Sequence, residues 1–323
     1  MAELAAEEVP GLIAEARIEA RQRARELLVE VLTEAMLEQA QSRGREVVAP
    51  ARRQRGLTPD GVDVSAETGL YVYCVVGAAA EVPSGLSGVD PAHGLELVIH
   101  DAVAAVVSRV PLEDFEEERL RERLADMGWV ERTARRHEAV LDSIGARTTL
   151  IPMRLCTVYR SESGVIEMLA REAKALEEAL IHLQGKQEWG VKVFAVGEPP
   201  VPRSEEEPED ASGTDYMRRR QDEREQRRVA DQRLHDICVS IHERLAGAAS
   251  DAVSSPPQRP EVSGHEGEML LNGVYLVQDE ERETFLELVS LLEEEHRADG
   301  LEFVPTGPWP AYNFVPGTIG AAW

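Results

Sequence analysis

The chain has 323 residues, enough for about two domains, and its 43% hydrophobic and 29% charged residues are ordinary for a soluble globular protein. Its net charge of −25 argues against nucleic acid as a partner, because a strongly acidic chain repels polyphosphates. No apolar run reaches the ~18 residues of a membrane span, and the first residues do not resemble a secretory signal. The three cysteines, an odd number at distant positions, suggest neither a disulfide framework nor a zinc site, so we expect a cytoplasmic protein.

Residues 1–66 have no strand pattern and predict a helical extension followed by a flexible linker. Within residues 11–41, apolar side chains recur with the period of a helix. They form one stripe, which consists of Leu27, Leu28, Val31, Leu32 and Ala35. An isolated amphipathic helix needs a surface to dock on, which is either the body of the protein or a partner.

Residues 68–185 predict a first α+β domain. Residues 69–77 are apolar, rich in β-branched and aromatic side chains and bounded by glycines, as in a buried strand. The other elements predicted from the hydrophobic pattern are a hairpin at 95–100 and 102–108, helices at 112–127 and 130–144, a short strand at 148–152 and a helix at 163–183.

Residues 186–316 predict a second domain, which includes a long helix at 216–245 and the terminal aromatic segment. The first half of the long helix is almost entirely charged, and apolar residues at helical spacing occur only in its second half. We therefore expect the helix to project from the body, with a solvated or coiled-coil first half. The other predicted elements are an acidic, proline-rich connection at 197–213, strands at 188–196, 251–253, 269–278 and 301–304, and a helix at 280–296.

The second domain thus has the order strand, helix, strand, strand, helix, strand, which is that of the ferredoxin-like split βαβ fold. The first domain also interleaves strands with helices. We predict an α+β protein that has two ferredoxin-like domains, a projecting long helix and an N-terminal helical extension.

The terminal segment, residues 306–315, is unusually aromatic for a chain with 5% aromatic residues. Its aromatic residues are Trp309, Tyr312 and Phe314. Pro308 and Pro310 restrict the backbone on both sides of Trp309 to extended geometry. We expect the segment to follow directly after the last strand. It is interpreted either as a flap that packs its rings on its own domain or as a rigid aromatic anchor for a partner protein.

The sequence carries no catalytic or cofactor signature, since it has neither a glycine-rich phosphate loop nor a G-x-S-x-G turn. His137-Glu138 begins like a zinc-protease motif, but Leu141 stands where the second His is required, so we expect no metal. Arg154 is a candidate buried charge, because it lies in the apolar run 151–159 and would need a carboxylate or backbone carbonyls. It is interpreted as a structural ion pair between domains or as an anion site.

Several stretches together resemble the GvpF/GvpL family of gas vesicle proteins, over about residues 68–316. The stretches are 70–76 (LYVYCVV), 137–140 (HEAV), 149–158 (TLIPMRLCTV), 189–193 (WGVKV) and 307–314 (GPWPAYNF). Two departures are visible. Met153, Leu155 and Cys156 stand where the family often has Leu, Phe and Gly, and Ala311 stands where it often has a second Pro.

The resemblance implies a non-enzymatic accessory protein of gas vesicle assembly, with two ferredoxin-like domains and a coiled-coil-like helical part. It implies a cytoplasmic protein associated with the gas vesicle. The implied partners are the small hydrophobic shell protein and other accessory proteins, without nucleic acid, membrane or cofactor. The candidate partner-binding or structural residues are Arg154, Trp309, Tyr312 and Phe314.

Two other classes of function stay open at this point. Ferredoxin-like sheets include RNA readers, although this sequence lacks their aromatic strand pattern and has the wrong charge. A small-molecule enzyme would use Arg154 and His137.

Overall fold

The computed structural model describes residues 68–83, 85–196, 213–258, 265 and 267–316. The extension predicted for residues 1–66 and nearly all of the acidic connection at 197–213 lie outside the described residues. The chain divides into two compact units. Of the described residues, 68–83, 85–185 and 310–316 form the first unit, and those within Lys186–Trp309 form the second. The terminal segment, which we expected in the second domain, is therefore divided. Residues 306–309 stay in the second unit, and residues 310–316, which keep the name terminal segment, belong to the first unit.

The first unit combines an antiparallel sheet with helices. Its strands are β1 (Thr68–Gly77), β2 (Leu95–His100), β3 (Val103–Pro111), β4 (Leu150–Pro152) and β5 (Val158–Tyr159). Its helices are α1 (Glu117–Ala125), α2 (Met127–Gly145) and α3 (Glu162–Leu183). The strands lie in the order β2-β3-β1-β4, and β5 pairs with Leu70 and Tyr71 of β1. The predicted hairpin is confirmed as β2 and β3, which pair antiparallel.

The central strand β1 is buried on both faces. Every side chain from Leu70 to Val76 is at most 5% exposed, and successive side chains of a strand point to opposite faces. Tyr71 and Tyr73 pack in one core with residues of α2. The helix α3 packs against the four strands β1 to β4. Burial on both sides explains why β1 is apolar throughout rather than alternating.

The second unit is built around another antiparallel sheet. Its elements are β6 (Lys186–Ala195), α4 (Gly213–Gly247), β7 (Asp251–Ser255), β8 (Glu268–Gln278), α5 (Arg282–His296) and β9 (Leu301–Trp309). The strands lie in the order β7-β8-β6-β9. The order of strands and helices predicted for this half is confirmed, including the short strand at 251–253. Core residues of β6 and β8 pack against apolar residues of α4 and α5.

The last strand is longer than predicted, and Trp309 is its final residue rather than a residue beyond it. After a register shift, β9 still pairs with β6, so that Trp309 lies opposite Glu188. The predicted strand stopped at residue 304, before Pro305 and Pro308. They are tolerated because β9 lies at the edge of the sheet, where one side of the strand needs no hydrogen-bond donors.

The helix α4 has the two-part character that its sequence indicates. It has 35 residues, which corresponds to about 50 Å. The apolar residues predicted as its docking face lie in or against the core: Leu234, Ile237, Ile241 and Leu245. Toward the other end, the side chains described between Arg218 and Val229 are exposed. Arg228 there forms an ion pair with Glu225 of the same helix, as expected for a solvated face.

The two sheets have the same strand order, although their connections differ. In each sheet the strands lie in the order second, third, first, fourth, counted along the chain within the unit. In the second unit a helix, α4, connects the first two strands. In the first unit the described residues between β1 and β2 form turns and a bridge between Ser87 and Gly94. The described residues of the first unit therefore lack the helix that follows the first strand in the ferredoxin-like order.

We predict that Gly273→Ala in β8 lowers the free energy of unfolding by about 1–3 kcal/mol. A Cβ atom at this position would overlap Oη of Tyr275, whose ring is fully buried. That ring has little room to move, because its hydroxyl is hydrogen-bonded to Nδ1 of His242 at 2.9 Å.

Urea unfolding followed by circular dichroism measures this effect. Gly77→Ala at the end of β1 is the matched control, since nothing lies within 4 Å of the added Cβ. Equal destabilisation by the two substitutions would contradict the packing argument.

Candidate functional site

A buried polar cluster lies in the first unit where β1, α2 and the turn after β4 meet. The helix α2 begins after Asp126, whose carboxylate accepts hydrogen bonds from the backbone N–H groups of Gly128 and Trp129. About three turns further along, His137 and Glu138 stand on the buried side of the helix, 1% and 7% exposed. Polar side chains at this depth require hydrogen-bond partners.

Two tyrosines supply those partners from distant parts of the chain. The hydroxyl of Tyr71 lies 3.0 Å from Nδ1 of His137 and accepts a hydrogen bond from the backbone N–H of Cys156 at 2.9 Å. The hydroxyl of Tyr312 donates to Oε1 of Glu138 at 3.0 Å and lies 3.3 Å from Nε2 of His137. The cluster therefore joins β1, α2, the turn after β4 and the terminal segment.

The donors and acceptors of the cluster fix the directions of its hydrogen bonds. Because the Tyr71 oxygen already accepts from Cys156, its hydroxyl hydrogen is free to donate to Nδ1 of His137. Nε2 then carries the imidazole proton and faces the Tyr312 oxygen, whose own hydrogen goes to Glu138. We assign this tautomer from the partners.

Burial keeps His137, Tyr71 and Tyr312 uncharged near neutral pH. The loss of hydration lowers the pKa of His137 to about 3, and a backbone hydrogen bond to Met153 opposes the shift. Burial likewise raises the pKa values of Tyr71 and Tyr312 well above their usual range. A neutral imidazole between two protonated phenols links segments of the chain, and it is poorly suited to exchange protons with a substrate in solvent.

The terminal segment is a short turn whose side chains face the first unit. Tyr312–Phe314 form one 3-10 turn, and Ala311 and Phe314 are buried. Tyr312 packs against the core that contains Tyr71 and Tyr73. Of the candidate residues, Tyr312 thus reaches the polar cluster and Phe314 is buried in the same unit. Trp309 belongs to the second unit and is half-buried.

Gly307 in β9 lies against Glu188 and Trp189 of β6, and both its backbone conformation and this close contact require a glycine. Its φ of +128° is rarely adopted by residues that have a side chain. A Cβ there would also lie 2.9 Å from the carbonyl oxygen of Glu188 and 3.2 Å from the ring of Trp189. Two of the family-like stretches therefore touch within the second unit.

Arg154 is exposed, so the expectation of a buried charge is wrong. The apolar run around it consists of two strands, β4 and β5, and the turn between them places Arg154 outside while Met153 and Leu155 are buried. Its backbone carbonyl accepts hydrogen bonds from the N–H and the hydroxyl of Thr157. The apolar neighbours of Arg154 in the sequence are buried, but the tight turn directs the Arg154 side chain to solvent.

Sequence reasoning missed Tyr71 and Cys156. A tyrosine in a strand that is buried on both faces needs a partner for its hydroxyl, and that was the available signal for Tyr71. Cys156 has a φ of +61°, the left-handed region in which glycine is favoured. This geometry explains why the resembled family often has Gly at the position, and it directs the N–H of Cys156 to Tyr71.

Outside this cluster, the part of the chain that the structure describes offers little for chemistry. No group of three or more His, Cys, Asp or Glu residues among the described residues could hold a metal ion. No helix in the described ranges is long and apolar enough to cross a membrane. A groove of about 550 Å³ lies between α4 and α5 in the second unit, and neither Arg154 nor His137 lines it. Its charged residues include Arg233 and Arg244, which form ion pairs with Asp299 and Glu295.

We predict that Tyr312→Phe lowers the free energy of unfolding by about 1–3 kcal/mol, since it removes the hydroxyl that donates to a buried carboxylate. Tyr159→Phe is the matched control. Tyr159 is half-buried in β5, and its hydroxyl has no hydrogen bond among the described residues. Chemical unfolding of both variants measures the difference. A loss no larger for Tyr312→Phe than for Tyr159→Phe would contradict the assigned role.

We predict that a shift from pH 7 to pH 5 destabilises the protein partly through His137. The pKa of His137 in the folded state, about 3, lies below its unfolded value of about 6.5, so the unfolded state binds the proton first. Stability therefore falls as the pH drops below about 6.5, by about 2 kcal/mol at pH 5. Unfolding of the wild type and of His137→Gln at both pH values isolates this share. If both proteins lose equal stability, His137 is not its source.

The comparisons with known proteins agree with these motifs. A family model described as gas vesicle synthesis protein GvpL/GvpF matches residues 69–316. Gas vesicle protein L of a Streptomyces species is 38% identical over 254 residues, which cover 76% of this chain and 92% of that protein. Gas vesicle protein F1 of Halobacterium salinarum is 27% identical over 252 residues, covering 78% of this chain and 95% of that protein.

Two solved structures share the fold. The crystal structure of gas vesicle protein GvpF from Anabaena matches with a TM-score of 0.57 at 20% identity, covering 77% of this chain and 96% of that one. The crystal structure of GvpF from Microcystis aeruginosa matches with a TM-score of 0.54 at 20% identity, covering 77% and 99%. The match of the family model over most of the chain shows that this protein belongs to the GvpL/GvpF family of gas vesicle proteins.

Proposed function

We propose that this protein is a non-enzymatic accessory protein of gas vesicle assembly, which binds the hydrophobic shell protein and other accessory proteins. The observation that carries the proposal is the family match over residues 69–316. The relatives are named gas vesicle proteins L and F, and the chain covers more than nine-tenths of each of those described above.

The edge strand β2 is the surface that we propose for the shell protein. It ends the sheet order of the first unit, and no described strand pairs with its outer side. Ile99 on this strand is 54% exposed, whereas Leu95 and Leu97 are partly buried against the core. An open edge with an apolar side chain can accept an extended segment of another protein through backbone hydrogen bonds.

The charge of the chain supports a role in keeping an aggregation-prone partner in solution. A net charge of −25 makes the complex with a hydrophobic subunit repel other such complexes. In this proposal the protein acts in the cytoplasm in association with the gas vesicle, before or while shell subunits assemble.

The geometry of the polar cluster supports a non-enzymatic role. His137 is neutral and 1% exposed, and its ring nitrogens face the hydroxyls of Tyr71 and Tyr312. Arg154, the other residue that an enzyme would use, is exposed. These two side chains therefore do not share a buried site.

We further infer that both sheets are variants of the ferredoxin-like arrangement, because their strand order is the same. The coiled-coil role of α4 also belongs to the proposal and is supported by its exposed, charged first half. A nucleic-acid-binding role is less favoured. Several arginines of α4 are already paired with carboxylates, which reduces the positive field available for phosphates: Arg228, Arg233 and Arg244.

Co-expression with the shell protein tests the proposal. We predict that the wild type retains the shell protein in the soluble fraction and in a pull-down. Ile99→Lys should reduce the retained amount by about tenfold, as expected for the loss of ~1.4 kcal/mol from one apolar contact.

Val253→Lys on β7 is the matched control, since Val253 is 37% exposed on the edge strand of the other unit. An equal loss for the two lysine variants would contradict the assignment to β2. A wild type that leaves shell solubility and pull-down unchanged would overturn the proposed function itself.

A further inference from the structure

The terminal segment, residues 310–316, is held on the first unit as a peptide ligand is held on a protein. The backbone N–H of Tyr312 donates to the carbonyl of Pro310, and that of Phe314 donates to Ala311, so both bonds stay within the segment. Its side chains reach the body of the unit. Ala311 and Phe314 are buried, and the Tyr312 hydroxyl donates to Glu138.

The receptor for this segment is ordered by bonds that do not involve it. Tyr71 is held by the backbone N–H of Cys156, and His137 is held by Tyr71. Oε1 of Glu138 and Nε2 of His137 are left facing the position of the Tyr312 hydroxyl. A site whose polar groups are already in place loses little conformational freedom when a ligand enters, which favours binding.

The segment is joined to a unit other than the one that it occupies. It follows Trp309, the last residue of the second unit, and every contact described above is made in the first unit. A terminal segment connected in this way can leave its own site and enter the same site of another molecule without unfolding either sheet, as in domain swapping.

We propose that the terminal segment exchanges between copies of this protein, so that Tyr312 and Phe314 of one copy occupy the site at His137 and Glu138 of another. The second copy is the occupant because its segment is identical to the one seated in the site. Attachment to the same chain gives the intramolecular segment an effective concentration of about millimolar, so exchange requires a high local concentration of protein. The proposal is independent of shell binding by β2.

The first test uses the full chain with Tyr312→Ala and Phe314→Ala, which empties the site. A fluorescein-labelled peptide of residues 308–316 should bind this variant saturably, as measured by anisotropy. A peptide with Phe in place of Tyr312 should bind about tenfold more weakly, because it lacks the hydroxyl donor. The wild-type chain should bind the peptide at least tenfold more weakly than the emptied variant, since its own segment competes.

The second test measures exchange between copies. The emptied variant with one affinity tag is mixed with a Glu138→Gln chain that carries another tag and whose own segment is held less tightly. The two should co-purify, increasingly so at higher concentration, while two differently tagged emptied variants should not.

Circular dichroism and melting establish that each variant is folded. Peptide binding by a folded emptied variant and concentration-dependent co-purification would support the proposal. Absence of peptide binding, or equal binding of a scrambled peptide, would overturn it. If the double variant does not fold, Phe314→Ala alone is used in its place. Peptide binding by this variant that is no tighter than binding by the wild type would overturn the proposal.

Discussion

The hydrogen bond from the Tyr312 hydroxyl to the Glu138 carboxylate is the interaction on which the end of the first unit depends. The two residues are 174 positions apart, and the bond joins the terminal segment to the middle of α2. A buried carboxylate is costly without donors, so the tyrosine compensates for the placement of Glu138 in the core. The neighbouring His137 extends the same network to Tyr71 in β1 and to the turn at Cys156.

This network explains why separate stretches of the chain resemble one family. Tyr71, His137, Glu138, Cys156 and Tyr312 come from four of the five family-like stretches, and the structure brings them into one buried cluster. The fifth stretch, at residues 189–193, meets Gly307 of the terminal stretch within the second unit. The signature of the family therefore records internal contacts that hold the fold together. The edge of β2, which we propose as the surface for the shell protein, lies outside this cluster.

The division of roles between core and surface follows from the charges. Burial keeps the His137 imidazole and the Tyr312 phenol of the cluster neutral near pH 7. Among the described residues most charged side chains are in contact with solvent, where ion pairs such as Arg228 with Glu225 contribute little to stability.

The sequence alone predicted the elements whose patterns are local. Three features follow from periodicity, since each depends on residues a few positions apart. They are the uninterrupted apolar run of β1, the apolar stripe in the second half of α4 and the order of elements in the second unit. The sequence could not place the terminal segment, because nothing local indicates that Tyr312 contacts Glu138 rather than its own neighbours. It also misplaced Arg154 and the end of β9. The turn between β4 and β5 directs the side chain of Arg154 to solvent. The position of β9 at the edge of the sheet allows prolines within the strand. Only the tertiary structure decided these points, because burial and edge position are properties of the packed chain.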